Sequence, residues 1–555
     1  MKKLTLAATT AAILAGTTGL LSAEVVLRLV PYHTDAHTEN FNPYNYSHPS
    51  GFVQDFAYEP LWIYNIMHPD NDYPALATSF DVAEDMMSVT YHLREGVVWS
   101  DGEPFTADDL IFTFNYDKAH PDFPIGFDHY TAETDSGSIV SVEKLDNYTV
   151  RFNLHKPDAL AHLNIGIAFP LPEHIWASVE DPKNFANETI VATGPWTNVE
   201  AFSRSSWKLC RNETYRENDT NQIDCLQFPQ LSGNEQVMAA MTNGDLDWAG
   251  DGMTDPEITY AAKSEYNQYW LPADGNTNLL LNTTKAPFDN LEFRKAFSMA
   301  INRQPILDIA TFGLTTASRY PIGTGEFYSA WYNEAEMAPY EYLMEFDAER
   351  AMATLDAAGI VDQDGDGWRD NPDGSPIDFK ISVPAGWTDW VNTVQLVSEN
   401  LQDIGVNGNM HAMEEGAWFD NFATGDFDVY IMWVETSTTP WWTYYAMFDP
   451  KAMVPGQIRE QAMHQMRIPE IEASLAAIAS TRDVDEQRLE IQKIHIQVAE
   501  NLPMISLFAN PSWYQYSTRN FTGWSNEDNA YVRPMMHPGI HERVKHALSL
   551  TPVER

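Results

Sequence analysis

Leu93-Arg94-Glu95-Gly96-Val97-Val98-Trp99-Ser100-Asp101-Gly102-Glu103-Pro104-Phe105-Thr106-Ala107-Asp108-Asp109 is the stretch that decides the fold class. It opens on the end of Ser88-Val89-Thr90-Tyr91-His92-Leu93-Arg94, where apolar and polar residues alternate. That period places one face of a strand against a core. It closes on Thr106-Ala107-Asp108-Asp109, just ahead of Leu110-Ile111-Phe112. A threonine followed three positions later by a carboxylate starts a helix, because both side chains accept from N–H groups that the first turn leaves open.

Working outward, Val25-Val26-Leu27-Arg28-Leu29-Val30 and Tyr148-Thr149-Val150-Arg151-Phe152-Asn153-Leu154 read as further strands. Leu291, Phe293, Ala296, Phe297, Ala300 and Ile301 recur at helical spacing and predict a helix over Leu291 to Asn302. A second helix is predicted from Trp387 to about Ile404, with Val391, Val394, Leu401 and Ile404 on one face. Phe427 to Val434 is short, apolar and bounded by polar residues, which suits a buried strand of parallel type. Helical patterns return between Ile471 and Asn501. Strands and helices mixed along the whole chain give an α/β class. There is no internal repeat and no low-complexity segment.

The N-terminus reads as a secretory signal peptide. Met1-Lys2-Lys3 is basic, Leu4 to Leu21 is weakly apolar, and Ser22-Ala23 supplies the small-residue exit. Cleavage is placed after Ala23, and an oxidising, periplasmic location follows. The run is diluted by Thr and Gly, which disfavours a membrane anchor. The remaining ~530 residues suffice for two or three domains. With 79 acidic and 33 basic residues the net charge is −46. Such a field repels nucleic acid and anionic membranes, so neither is an expected partner.

Cys210 and Cys225 are the only cysteines. In an oxidising compartment a disulfide is the natural reading. A two-thiol metal site is the rival, but no His or second Cys pair flanks it at ligand spacing. Catalytic signatures are missing: no His-Glu-x-x-His, no Gly-x-Ser-x-Gly, no phosphate loop. With so many carboxylates, any chosen acid–base pair is uninformative. One metal-like pattern stands out. Asp362, Asp364 and Asp366 alternate before Gly367, and Asp373 occupies the twelfth position. That is the spacing of a calcium loop, and a structural calcium is the one cofactor it suggests. The plainer reading is an Asp/Gly-rich turn.

Aromatics make up 12% of the chain, and several of the 17 tryptophans sit among polar residues. Examples are Gly386-Trp387-Thr388-Asp389-Trp390, Thr439-Pro440-Trp441-Trp442 and Gly523-Trp524-Ser525-Asn526. Indole edged by Asp, Asn and Thr suits sugars, whose C–H faces stack while their hydroxyls hydrogen-bond. For any one tryptophan, packing between domains is an equally good reading.

The Leu93 to Asp109 stretch resembles the family 5 extracellular solute-binding proteins of ABC transporters, the dipeptide- and oligopeptide-binding type. Asn40-Phe41-Asn42-Pro43, Tyr58-Glu59-Pro60-Leu61, Thr193-Gly194-Pro195, Gly244-Asp245-Leu246-Asp247 and Phe293-Arg294-Lys295-Ala296 support the resemblance, in family order. Gly386 to Trp390, Asn371-Pro372-Asp373-Gly374, Phe521-Thr522-Gly523-Trp524 and the Cys210 to Cys225 loop are similar to the branch that binds cellobiose and chitin oligosaccharides. Trp433-Val434-Glu435-Thr436 departs from the chitin-oligosaccharide pattern, and Ser437 to Trp441 looks more like the cellobiose binders. Cello-, laminari- and chito-oligosaccharides therefore all remain open.

The resemblance implies a two-lobed binding protein of three α/β domains with a ligand cleft between the lobes. Its expected parts are a signal peptide at 1–23, domain I at 24–68, 190–282 and 515–555, domain II at 69–189 and domain III at 283–514. It implies that Trp387 and Asp389 contact a sugar, that Trp524 stacks on its other side, that an inner-membrane ABC permease is the partner, and that the protein is a monomer. Three other functions compete. A peptide receptor would hold its ligand by charged groups and strand-like pairing. A secreted glycoside hydrolase would need a carboxylate pair across the scissile bond. A receptor reporting its ligand to a membrane sensor is identical at the level of sequence.

Overall fold

A computed structural model describes residues 24–31, 33–45, 53–68, 71–120, 123, 139–434, 436–448, 464–536 and 541–554. Residues 1–23, expected to be a signal peptide, and Glu435 lie outside the described residues.

The Leu93 to Asp109 stretch joins a strand, Ser88–Leu93, to a helix, Ala107–Ala119. Between them the chain folds back on itself: Phe105 donates its N–H to the Val97 carbonyl and Trp99 to that of Glu103. Gly102 caps this hairpin at φ +93°, a conformation that a side chain disfavours. Trp99 and Phe105 are thereby driven into the core. The helix begins as its sequence indicates. Thr106 Oγ1 accepts from the Asp108 N–H, and Asp109 Oδ2 accepts from the Thr106 N–H.

The strand belongs to a four-stranded antiparallel sheet ordered Ala77–Val82, Ser88–Leu93, Thr149–Leu154, Ile139–Asp146. A second four-stranded sheet is ordered Val26–Arg28, Cys225–Pro229, Ser206–Arg211, Trp196–Glu200. In it the N-terminal strand runs parallel to Cys225–Pro229, although some 200 residues separate them. Cys225 lies directly opposite Cys210 in the antiparallel register, and the two are disulfide-bonded. Closing a loop of this length stabilises by roughly 3 kcal/mol.

A five-stranded mixed sheet carries the other half of the molecule. Its order is Asn407–Met413, Asp378–Pro384, Val429–Val434, Ala273–Leu281, Met504–Pro511. All six residues of Val429–Val434 are buried, as a central strand covered on both faces requires. It is parallel to Asp378–Pro384 but antiparallel to Ala273–Leu281, so the expected parallel pairing holds on one side only. The predicted helices are present with trimmed ends. The first spans Leu291–Ala300 and stops where Ile301 turns extended. The second spans Thr388–Asp403, with Trp387 as its N-cap position rather than its first turn. The C-terminal helical pattern resolves into Pro469–Ala479 and Val484–Asn501.

The three largest apolar clusters follow these sheets. One gathers Leu279 to Phe508 with Leu160. A second unites Leu27 to Phe228 with Trp248 and Tyr514 to Leu550. A third holds Leu61 to Val191 around the Ser88–Leu93 sheet. The chain crosses between the first two clusters on neighbouring paths. Asn267–Tyr269 and Gln515–Ser517 pair in a small sheet, and their continuations Ala273–Leu281 and Met504–Pro511 pair in the large one. Two adjacent crossings, with a register shift between Ala273 and Asn276, join the two halves.

Candidate ligand-binding site between the lobes

A small cavity of about 50 Å³ lies where the two lobes meet. With the lobes in contact this is below the ~300–1,000 Å³ of an open small-molecule site. One wall comes from the N- and C-terminal lobe: Val30 and His33 beyond the first strand, Gly250-Asp251-Gly252 after Trp248–Ala249, then Trp513, Met535 and Met536. The other comes from the five-stranded half: Trp387, Asp389 and Trp390 at a helix start, Glu415 in the first turn of Glu415–Thr424, and Trp433 on the central strand.

Indoles dominate the second wall. The Trp387 ring centre lies 4.8 Å from Trp390 and 5.7 Å from Trp433. Behind them Trp418 is fully buried and stacks on Tyr430 at 4.3 Å. Aromatic neighbours at these separations favour one another and hold the wall rigid. The Trp387 Nε1–H is buried without a hydrogen-bond partner among the described residues. An orphaned donor on a cavity wall calls for an acceptor on the ligand, since leaving it unpaired costs about 1–3 kcal/mol.

The lobes are in contact around this cavity. The Asn234 N–H reaches the Gly386 carbonyl at 3.4 Å, and Asn234 Nδ2 donates to Asp389 Oδ1 at 3.2 Å. Gly252 runs so close that a Cβ there would meet Asp389 Oδ1 at 2.9 Å and Asn234 Nδ2 at 2.8 Å. Gly233 and Gly386 face each other in the same way: a Cβ on Gly233 would lie 3.1 Å from the Gly386 carbonyl oxygen. A side chain at either position would hold the backbones apart.

Burial pushes the Asp389 carboxyl up to about 6, with Asp251 adding to the rise, while the N–H groups of Asp389 and Trp390 and the Asn234 amide oppose it. Burial disfavours charge on His33. The attraction and hydrogen bond of Asp251, with Glu415 and Asp389 behind, outweigh that, so its pKa is raised. Between the ordinary Asp389 value of 3.8 and about 6, the folded protein keeps a proton that the unfolded chain releases. Stability from this group therefore falls as pH rises through that window. Asp389→Asn lacks the titration. Its thermal midpoint relative to the wild type is expected to rise from pH 4 to 6 and then level off. A pH-independent difference would show that Asp389 does not titrate as described.

Trp387 and Asp389, expected from sequence, both reach the cavity. Trp524 does not. It is 3% exposed, donates Nε1–H to the Phe521 carbonyl, and packs on Tyr516, Trp248 and His546. Trp441 is also core, its Nε1–H on the Leu475 carbonyl. Polar sequence neighbours were a poor guide here, because the chain turns sharply and buries the indole while its neighbours stay at the surface. His33, Asn234, Asp251, Glu415 and Trp513 carried no local pattern, and only folding brings them together.

The aspartate loop brings part of the expected set together. Asp362, Asp364 and Asp370 bring ligand atoms within 4.8 Å of one another, whereas Asp366 and Asp373 point to other partners. Asp362 accepts from the Gly365 and Gly367 N–H groups, and Asp364 from that of Asp366. These are the bonds of a self-contained Asx-turn loop.

Residues 72–454 match the family described as bacterial extracellular solute-binding proteins, family 5 Middle. Di/tripeptide-binding protein 1 of Pseudomonas aeruginosa is 30% identical over 261 residues, 42% of this chain and 47% of that protein. The chain thus spans about half the length of that relative. Di/tripeptide-binding protein 2 of the same species is 27% identical over 439 residues, covering 73% of this chain and 76% of that protein. Among solved structures, a periplasmic oligopeptide-binding protein from Thermotoga maritima with mannohexaose bound superposes with a TM-score of 0.86. It is 23% identical and covers 96% of this chain and 100% of its own. The oligopeptide-binding protein AppA of Bacillus subtilis, in complex with a nonapeptide, gives 0.78 at 19% identity, over 96% of this chain and 100% of that one. At these identities the two structures share the fold with this chain. Among the described residues, no helix is long and apolar enough to cross a membrane. The family match over most of the chain, on a two-lobed α/β fold with a cavity between its lobes, has one consequence: the chain belongs to the extracellular solute-binding proteins of family 5.

Proposed function

We propose that this protein is the periplasmic receptor of an ABC importer and captures a β-linked oligosaccharide between its lobes. The observation that carries the reading is the Trp387 indole. It stands on the cavity wall beside Asp389 with its N–H unpaired. A sugar ring laid on such a wall offers C–H groups to the indole faces, an oxygen to the N–H, and hydroxyl donors to the carboxylates. The mannohexaose bound by the Thermotoga maritima protein, in a fold of TM-score 0.86, supports the same ligand class. Hinge closure then buries the sugar and presents both lobes to an inner-membrane permease. A peptide ligand is the second reading, and the di/tripeptide-binding relatives favour it.

A thermal-shift panel on the purified protein separates the two. It would hold cello-, laminari- and chito-oligosaccharides beside di- to pentapeptides. A ligand that binds only the folded state raises the midpoint. A rise with one sugar series and none with peptides supports the proposal, and a rise with peptides alone overturns it. Trp387→Ala is expected to weaken binding of the active sugar by about 10- to 100-fold, the equivalent of ~1–3 kcal/mol of buried aromatic contact. Its unfolding midpoint should hardly move. Trp524→Ala should do the reverse, costing ~3–5 kcal/mol of stability as a core truncation. Unchanged affinity in Trp387→Ala, read by calorimetry, would remove Trp387 from the site.

A further inference from the structure

Three carboxylates converge on the interlobe cavity from distant parts of the chain: Asp251 from one lobe, Asp389 and Glu415 from the other. Lys and Arg are absent from its described lining, and His33, the one basic group there, is already engaged by Asp251. Asp251 Oδ2 is buried with no hydrogen-bond partner among the described residues. Its side chain is only 11% exposed.

Neutral hydroxyls satisfy carboxylate lone pairs but leave the net charge in place. Closing the cleft brings Asp251 towards Asp389, and like charges repel more strongly as water leaves. An ammonium group changes that balance. Its three N–H donors suit three acceptors around it, its charge offsets theirs, and the neighbouring Trp faces attract it. A positive charge on the ligand would thus drive the same closure that an empty or neutral-filled cavity resists.

Building on the oligosaccharide reading, we propose that the ligand inserts a protonated amine beside Asp251 and Asp389, so that the preferred oligosaccharide is an amino sugar whose nitrogen is free rather than acetylated.

The test is calorimetric titration of the full-length mature protein with matched pairs that differ by one charge. Glucosamine di- to tetramers are compared with their N-acetylated forms and with cello-oligosaccharides. Dipeptides with free and with acetylated N-termini run alongside. The expected result is at least about 10-fold tighter binding of the free-amine sugar, a difference near 1.4 kcal/mol. Raising the salt concentration should narrow the gap, and Asp251→Asn should close most of it. Equal or tighter binding of the neutral sugars overturns this inference and leaves the oligosaccharide receptor standing. Binding of free-amine peptides with no sugar binding overturns both. A free-amine preference that Asp251→Asn and Asp389→Asn leave intact also overturns it, because the charge would then be read elsewhere.

Discussion

Arg543→Ala is expected to lower the stability of the protein by about 3–5 kcal/mol, the usual loss when one partner of a buried ion pair is removed. Arg543 and Asp55 are both 0% exposed, with Arg543 Nε 2.9 Å from Asp55 Oδ2. Arg543 Nη1 also donates to the Met536 carbonyl at 2.8 Å, and the guanidinium lies over Phe56 at 5.0 Å from the ring centre. His541 Nδ1 stands 3.5 Å from Asp55 Oδ1. Burial pulls the Arg543 pKa down and Asp55 partly restores it, so the charge is tolerated only because the partner is there. The pair ties the C-terminal helix Glu542–Ser549 to the short helix Gln54–Ala57. Because Met536 lines the cavity, it also steadies that wall. Removing Arg543 strands a carboxylate in a dry core. Asp55→Ala combined with Arg543→Met removes both charges and should recover much of the loss. Denaturant unfolding of the wild type, the single variant and the double variant gives the comparison. Coincident curves for wild type and Arg543→Ala would rule out the pair as a major anchor.

Gly386→Val should weaken ligand binding by about 10- to 100-fold without touching the ligand, since overpacking a tight contact costs ~1–3 kcal/mol. A Cβ on Gly386 already meets the Ser232 carbonyl oxygen at 3.1 Å, and Gly233 meets Gly386 in turn. Two branched methyls cannot enter that space unless the lobes part. Gly386 is not in the left-handed region, so the substitution strains no backbone and acts through the contact alone. Parting the lobes breaks the Asn234 bonds to Gly386 and Asp389 and opens the aromatic wall to water. Scattering from the ligand-saturated variant should give a larger radius of gyration than the saturated wild type. Wild-type affinity and size in Gly386→Val would mean that this glycine contact does not limit closure.

The class of the protein was legible along the chain because its elements are locally specified. The Thr106 capping box, the alternation of Ser88–Leu93 and the unbroken apolar run of Val429–Val434 each act over a few residues, and each element formed as its pattern requires. Cys210 and Cys225 were legible as the two cysteines of the chain, close in sequence and expected in an oxidising compartment; the antiparallel register then sets them face to face. Trp387 and Asp389 sit on one helix start and travelled together into the site. Trp524 shows the limit: its polar neighbours matched those of Trp387, yet one indole lines the cavity and the other fills a core.

By itself, the sequence determined the α/β class and most of its elements, because those follow from short-range periodicity and capping; the two-lobed architecture and the place of Trp387 and Asp389 on the cavity wall came from its motifs' resemblance to a family. The tertiary structure alone decided which tryptophans line the cavity, and that His33, Asp251 and Glu415 meet Asp389 across a glycine-lined contact. Convergence of that kind depends on how separate lobes close on each other. No local pattern encodes it, because the residues involved interact only once hundreds of others have packed.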